Sequence, residues 1–327
     1  MAGHLKLRVL VLGAEHFATA KVQATLAASD WAMPITLSRD EDALSDRHLD
    51  GIDAIFNGTA GKPATIAATA RQLYGALERT GAEMRVIQLS SMTVYGSLQG
   101  EALESAPLRA DLGPYGEAQI RGEEFARKYP RSVILRPGCE YGPDSPEWTV
   151  RIARLLEARR LGDLGAAGDG VCNLLFVDDL IAAVSASLRA PGIEGQAFNL
   201  AMRSPPTWNE YFIRFAQALG AVPVTRVGAR RLRAEAKVLA PVLRGLEMIE
   251  RRLRGASSPA TSRWCPPALT ASLLALCGQD IALNVGKAER ALGMVWTPLD
   301  AGLHMAAQPF FNGHPMGSTS MRRNSIG

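Results

Sequence analysis

Short apolar runs alternate with longer helical stretches along the first half of the chain. Apolar runs predict strands over Leu7–Leu12, Pro34–Leu37, Ile52–Phe56, Met84–Leu89 and Val133–Leu135. Helical composition follows the break at Gly13, over Phe17–Ala28, and recurs over Ala64–Thr80 and from about Tyr115. Strands that alternate with helices of a dozen or so residues predict an α/β fold with a parallel sheet and helices on both faces.

The alternation loosens after about Glu157. An apolar NLLFV precedes the helical DDLIAAVSASLRA, in which Asp178 or Asp179 is placed to cap the helix, and a short AFNLA follows. The rest is helical and basic up to a tail with little apolar content. We therefore predict a sheet domain over 1–165, a smaller and mostly helical lobe over 166–311, and a flexible tail over 312–327. Segments near 174–200 are expected to cross between the two.

Composition and cysteine spacing exclude several classes of protein. The chain has 327 residues, of which 47% are hydrophobic, and its N-terminal apolar run over Arg8–Ala14 is too short to span a membrane. We expect a cytoplasmic protein. The four cysteines form no CxxC pair, so we expect buried thiols, with neither disulfides nor a metal site; they are Cys139, Cys172, Cys265 and Cys277.

The formal charge of +4 comes largely from a basic segment, Arg226–Arg254. Its apolar residues have a spacing compatible with an amphipathic helix interrupted near Pro241. Three interpretations stay open: the segment binds the diphosphate of a nucleotide sugar, lies on an anionic membrane surface, or is a solvated face. Because no aromatic residues are interleaved with the arginines, we expect no nucleic-acid partner.

Several segments, in chain order, resemble the extended short-chain dehydrogenase/reductase family, also called the NAD(P)-dependent epimerase/dehydratase family. They are SSMTVYG (90–96), PYGEAQ (114–119), VILRPGCEYGP (133–143), LLFVDDLIAAV (174–184) and GQAFNLA (195–201), and the later KAERALGMVWTPLDAGL (287–303) is similar to the family's C-terminal close. The resemblance implies a doubly wound Rossmann sheet that binds a dinucleotide. It also implies a smaller substrate lobe, a small-molecule substrate and a homodimer.

The resemblance implies catalytic roles for three residues. Ser91 matches the catalytic Ser or Thr that hydrogen-bonds the substrate oxygen, Tyr115 matches the general acid/base, and Gln119 stands where the family has a lysine. A free tyrosine has a pKa near 10, so it needs a nearby positive charge to exchange protons at neutral pH. Gln119 can hold the nicotinamide ribose by hydrogen bonds, but it supplies no charge.

The phosphate-binding turn departs from the family's GxxGxxG. Its three positions are Gly13, His16 and Thr19, so an imidazole side chain occupies the approach to the pyrophosphate. Two outcomes stay open. His16 donates a hydrogen bond to the pyrophosphate beside the amides of Phe17 and Ala18 at the helix N-terminus, or its side chain displaces the cofactor or weakens its binding.

The ribose-binding region is also altered. Only Arg39–Ile52 separates the second strand from the third, too few residues for a helix and a strand. Ser38 and Arg39 stand where an acidic residue binds the ribose of NAD, and an arginine there suits the 2′-phosphate of NADP unless it is a solvated loop charge. Thr59 and Ala60, after the third strand, complete the cofactor-binding candidates.

Residues after the fourth strand bear on the reaction. Met92 and Thr93 stand where related dehydratases have two carboxylates, which argues against dehydration. We therefore predict an NADP-linked oxidoreductase or epimerase that acts on a carbonyl or secondary alcohol of a nucleotide-sugar or lipid-like molecule. The lipid-like option follows from WCPPALTASLLALCG (264–278), which resembles the lobe of the hydroxysteroid dehydrogenase branch.

The candidate substrate contacts are Met92, Cys139 and Glu140. Glu140 is either an alternative base or a salt-bridged loop carboxylate. The competing hypothesis is a catalytically silent or non-redox relative, which serves as a regulatory or partner subunit or transfers protons without a cofactor. His16 and Gln119 favour that hypothesis, whereas the presence of both the serine and the tyrosine favours the enzyme.

Overall fold

The computed structural model describes residues 6–37, 44–228, 231–232 and 269–313. Several predicted features lie outside these ranges: Ser38, Arg39, Cys265, the predicted tail beyond residue 313 and most of the basic segment. The predictions made on them stay predictions. Within the described ranges, no helix has the length and apolar content that crossing a membrane requires.

A six-stranded parallel sheet forms the centre of the fold. The ten strands of the described chain are β1 (Leu7–Leu12), β2 (Ala32–Ile35), β3 (Ala54–Asn57), β4 (Arg85–Leu89), β5 (Gly100–Ala102), β6 (Ser132–Pro137), β7 (Cys139–Tyr141), β8 (Leu174–Phe176), β9 (Ala197–Leu200) and β10 (Ile281–Leu283). The order in the main sheet is β2-β1-β3-β4-β6-β9, and every neighbouring pair is parallel. The predicted Rossmann architecture is confirmed.

Helices cover both faces of this sheet. They are α1 (Phe17–Ala28), α2 (Pro63–Thr80), α3 (Pro114–Lys128), α4 (Arg151–Glu157), α5 (Val177–Arg189), α6 (Trp208–Ala218), α7 (Ala271–Cys277), α8 (Gly286–Leu292) and α9 (Leu299–Gly313). Apolar residues of α1, α5 and α8 pack on one face, and those of α2 and α3 pack on the other. α2 begins at Pro63 and ends at Gly81 in the left-handed region, which are the residues that helix ends favour.

A third apolar cluster lies beyond the carboxyl ends of the strands and forms the core of the smaller lobe. Its centre is aromatic: Trp208, Tyr211, Phe212 and Phe215 of α6 contact one another, and Tyr141 of β7 packs against Tyr211. β10 pairs with β5, which joins the C-terminal part of the chain to the segment that follows β4. The smaller lobe therefore packs over the edge of the sheet where parallel strands bind ligands.

Two local predictions have different outcomes. In its described residues, the connection between β2 and β3 has a 3-10 turn at Asp46–Leu49 and neither an α-helix nor a strand, as its length predicts, and β2 is the edge of the described sheet. The prediction that Asp178 or Asp179 caps α5 is wrong. The N-cap is Phe176, with no side-chain cap, and Asp179 instead accepts hydrogen bonds from the amide and hydroxyl of Thr297 at 2.9 and 2.7 Å.

The segment over 174–200 contains three elements with different partners. β8 pairs with β7, whereas α5 packs on the main sheet and β9 joins it. The predicted crossing between two lobes stays a prediction. The boundary at residue 165 stays a prediction.

Candidate active site

The carboxyl ends of β1, β3, β4 and β6 open into one cleft of about 490 Å³, a volume typical of small-molecule sites. Its walls come from residues 16–19, 58–61, 89–93 and 137–140, which lie at or shortly after the carboxyl ends of these strands. α3 contributes Tyr115 and Gln119 to the same cleft.

Most of the candidate residues meet in this cleft. Those that line it are His16, Phe17, Ala18, Thr59, Ala60, Ser91, Met92, Tyr115, Gln119, Cys139 and Glu140. Gly13 shapes the turn behind it, and Ser38 and Arg39 lie outside the described residues. These side chains lie close together, but their closeness does not assign a role to any of them, and the roles stay predictions.

The turn after β1 is held against the loop after β3. Gly13 has φ +80°, and a Cβ added to it would lie 2.7 Å from the Cα and N atoms of Thr59, so both the conformation and the contact require glycine. Thr19 donates from Oγ1 to the carbonyl of Gly58 at 2.8 Å. A Cβ on Gly58 would lie 2.2 Å from that Oγ1. Gly58 therefore supplies the space that the threonine occupies.

His16 lies at the mouth of this turn, as the N-cap of α1. Its ring packs against Gly61, where an added Cβ would lie 3.1 Å from the ring Cε1 atom. The Nε2 atom is 3.2 Å from a carboxylate oxygen of Glu15, yet it is buried and makes no hydrogen bond. A buried imidazole nitrogen without a hydrogen bond thus lies at the turn for which the sequence predicts a pyrophosphate.

Ser91 caps the 3-10 turn Met92–Tyr95, where its Oγ accepts from the amide of Thr93 at 3.3 Å. A buried polar network lies behind it. Ser90 donates to Glu123 at 2.7 Å, and Arg136 donates to both oxygens of Glu123 at 2.8 and 2.7 Å. Although burial opposes ionisation, the hydrogen bonds from Arg136 and Ser90 hold the pKa of Glu123 below its usual range. This network fixes the backbone that carries Ser91.

Gln119 is 2% exposed, and its Nε2 donates to the hydroxyl of Tyr115 at 3.1 Å. Its Oε1 is buried without a partner. Burial raises the pKa of Tyr115; the hydrogen bond from Gln119 opposes this rise, and the negative charge of Glu140 adds to it. Tyr115 is therefore a neutral phenol at neutral pH. Because its oxygen already accepts from Gln119, its own hydrogen is available to another acceptor.

Glu140 lies in β7 and is partly buried on the cleft wall. Within the described part of the chain, no side chain pairs with or donates to its carboxylate, so the salt bridge considered from the sequence is not found there. Burial raises the pKa of this carboxyl to about 7.

The far wall of the cleft was not predicted from the sequence. It is formed by the π-helical turn Pro146–Val150, which contributes Trp148, and by Leu276 of α7. Glu147 of the same turn pairs with Arg151 at 2.8 Å. The turn formers of GPDSPEW were the only signal, and they indicate a loop without indicating which way it faces.

Cys139, Cys172 and Cys277 are buried, as expected, and none of the three is part of a disulfide. No group of residues suited to a metal ion occurs among those that the structure describes.

The NAD dependent epimerase/dehydratase family model matches residues 42–201. No curated protein sequence matches the chain. Similar solved structures include UDP-glucuronic acid 4-epimerase from Bacillus cereus in complex with UDP-glucuronic acid and NAD, with 17% identity, a TM-score of 0.65, and coverage of 92% of this chain and 98% of that chain.

Two further structures have the same fold. dTDP-glucose 4,6-dehydratase from Bacillus anthracis in complex with NAD has 17% identity, a TM-score of 0.67, and coverage of 94% of this chain and 97% of that chain. RMD from Pseudomonas aeruginosa complexed with NADPH has 16% identity, a TM-score of 0.64, and coverage of 93% and 98%. The family match supports the prediction of an NAD(P)-dependent epimerase-like enzyme. Residues 42–201, which include five of the segments quoted above, thus match the NAD-dependent epimerase/dehydratase family, the extended short-chain dehydrogenases/reductases.

Proposed function

We propose that this chain is an NAD(P)-linked epimerase or oxidoreductase that acts on a secondary alcohol or carbonyl of a nucleotide sugar. One observation carries the proposal. Six side-chain atoms are buried without a partner in the described residues, and three of them, His16 Nε2, Thr93 Oγ1 and Gln119 Oε1, belong to residues that line this cleft. An unsatisfied buried polar atom costs about 1–3 kcal/mol, so their clustering supports a polar ligand that completes them.

The residues present fit a nicotinamide dinucleotide. The amides of Phe17 and Ala18 and the Nε2 atom of His16 would hold the pyrophosphate. The Oε1 atom of Gln119 would accept from a ribose hydroxyl. When bound, the dinucleotide supplies a hydride acceptor or donor. Among the described residues that line the cleft there is neither lysine nor arginine, so the pyrophosphate depends on the helix N-terminus and His16.

Ser91 and Tyr115 supply the polar contacts to the substrate oxygen. Gln119 donates to the oxygen of Tyr115, which leaves the phenol hydrogen to point at the substrate, and the hydroxyl of Ser91 lines the same cleft. Two donors on one oxygen polarise a carbonyl for reduction. Because its pKa is raised, Tyr115 keeps its hydrogen at neutral pH and acts there as a hydrogen-bond donor rather than as a base.

The proposed substrate class is supported by the ligands of similar structures, and the choice of NADP over NAD by the sequence. UDP-glucuronic acid is bound in one structure of the same fold, and NAD or NADPH in others. We retain NADP as the preferred cofactor because of Arg39 in the sequence. Met92 and Thr93 carry no carboxylate, so elimination of water is not part of the proposal.

Isothermal titration calorimetry with NAD⁺, NADH, NADP⁺ and NADPH tests the proposal. We expect micromolar binding that His16→Ala weakens about tenfold or more, since a hydrogen bond to a charged group contributes about 1.5–3 kcal/mol. His304→Ala, an exposed histidine of α9, is the matched control and should bind as the wild type does. Turnover of UDP-sugars is then measured with the dinucleotide that binds.

A catalytically silent or non-redox relative is the second candidate. The neutral Gln119 beside a tyrosine of raised pKa favours it, because no group on α3 stabilises a phenolate. If none of the four dinucleotides binds, hydride chemistry is excluded and this second candidate replaces the first.

A further inference from the structure

We propose that Glu140 is the proton acceptor of this site and takes the hydroxyl proton of the substrate while the adjoining carbon is oxidised. The inference rests on the proposed function, whose oxidant is the oxidised dinucleotide. The O–H electron pair stays on the substrate oxygen and becomes the second bond of the carbonyl as the hydride leaves carbon. The proton joins a carboxylate oxygen of Glu140, and the reverse reaction returns it.

The position of Glu140 is rigid. Its neighbours in β7, Cys139 and Tyr141, are almost fully buried, whereas Glu140 keeps some exposure and lines the cleft. β7 pairs with β8 along its whole length. The backbone carbonyl of Glu140 also accepts from the hydroxyl of Ser145 at 2.8 Å. The carboxylate is therefore presented to the cleft by a fixed backbone.

Within the described ranges, neither lysine nor arginine lines the cleft around this carboxylate. The titratable groups that line the cleft with it are His16 from the turn after β1, Tyr115 from α3, Cys139 from its own strand and Glu147 from the π-helical turn, which is already paired with Arg151. α5 carries Asp178 and Asp179 near β7, the second of which is bonded to Thr297. β8 carries no titratable residue. With burial uncompensated, the pKa of Glu140 rises to about 7.

This is the value that a general base needs at neutral pH, where proton transfer in both directions requires a group with a pKa near the operating pH. Tyr115 does not meet that requirement, because burial raises its pKa and Gln119 offers it no positive charge. The two residues thus have different roles: Tyr115 donates a hydrogen bond to the substrate oxygen, and Glu140 accepts the proton.

Proton release on binding tests the inference without a substrate. At pH 7 a carboxyl with a pKa of about 7 is about half protonated, and a cationic nicotinamide ring bound in the cleft favours its ionised form. Calorimetry in buffers of different ionisation enthalpy should therefore show up to about half a proton more released by the oxidised dinucleotide than by the reduced one. Both forms carry the same pyrophosphate, so this difference is independent of His16.

Glu140→Gln should bind both forms and abolish the difference in proton release. Glu117→Gln, an exposed carboxylate of α3 that pairs with Arg121, is the control and should keep it. An unchanged difference in Glu140→Gln overturns the inference while leaving the proposed function intact, whereas failure of the wild type to bind any dinucleotide overturns both. A carboxyl carbon NMR titration of the free protein gives an independent test: if no glutamate resonance that Glu140→Gln removes titrates near neutral pH, the inference is wrong.

Discussion

Replacing Gln119 with lysine tests whether the amide is what keeps Tyr115 protonated. The Nε2 atom of Gln119 lies 3.1 Å from the hydroxyl of Tyr115, and a lysine ammonium at this position on α3 reaches the same oxygen. A unit charge at about 4 Å stabilises the phenolate by about 4 kcal/mol at an effective dielectric constant of about 20. That free energy corresponds to about a thousandfold in the phenolate population. Because position 119 is 2% exposed, desolvation of the ammonium opposes the gain, and a thousandfold is an upper limit.

The assay is a spectrophotometric titration of tyrosinate, with Tyr115→Phe subtracted in each background to isolate one of the six tyrosines. The pKa of Tyr115 should fall below its ordinary value in Gln119→Lys. Gln119→Met is the matched control: it keeps an unbranched side chain without charge or hydrogen bond, so the pKa of Tyr115 should stay raised. If Tyr115 titrates alike in the lysine and methionine variants, position 119 does not control the phenol and the reasoning fails.

Two further predictions concern stability. The pKa of Glu140 is about 7 in the folded protein against an ordinary 4.5, so its ionisation destabilises the fold as pH rises through that interval. Glu140→Gln should therefore stabilise the protein by about 3 kcal/mol at about pH 8 and by almost nothing at about pH 4. Urea unfolding that shows the same difference at both pH values contradicts this. Arg136→Met removes the fully buried cation that pairs with Glu123 and should lower the stability of the fold by about 3–5 kcal/mol at neutral pH. Since the pKa of Glu123 is lowered, that loss should shrink as the pH falls below the ordinary range of glutamate. Arg127→Met removes a half-exposed contact to the same carboxylate and should cost less than about 1 kcal/mol, so equal losses in the two arginine variants would refute the argument.

The main sheet could be predicted from the sequence because its strands are continuous apolar runs bounded by turn residues. α1 and β1 have the predicted bounds, and the other predicted strands differ from prediction by at most two residues at either end. β5, β7 and β10 were not predicted, because each has three residues and exists through a partner that is distant in the chain. The cap at α5 was predicted wrongly because a distant residue, Thr297, bonds the carboxylate that a local rule assigns to the helix end.

The inner wall of the cleft could be predicted for a simple reason: the carboxyl ends of parallel strands lie on one edge, so residues that follow separate strands meet. The outer wall could not. Trp148 and Leu276 reach the cleft only through the packing of the smaller lobe, which no local pattern records. The same is true of Gly58, whose missing side chain makes room for Thr19 across the turn. Such compensation between residues far apart in the chain is visible only in the fold.

Gln119 and Glu140 belong to one electrostatic arrangement rather than to two separate departures from the family's pattern. Both line the cleft beside Tyr115, and Glu140 acts on the pKa of that phenol. A lysine at position 119 would place a cation in the same cleft, which would lower the pKa of Glu140 and weaken it as a base near neutral pH. The neutral amide avoids this, keeps its hydrogen bond to Tyr115, and leaves an oxygen to accept from a ligand. If the proton is transferred through a carboxyl with a pKa of about 7, a positive charge next to the tyrosine is not needed for the reaction.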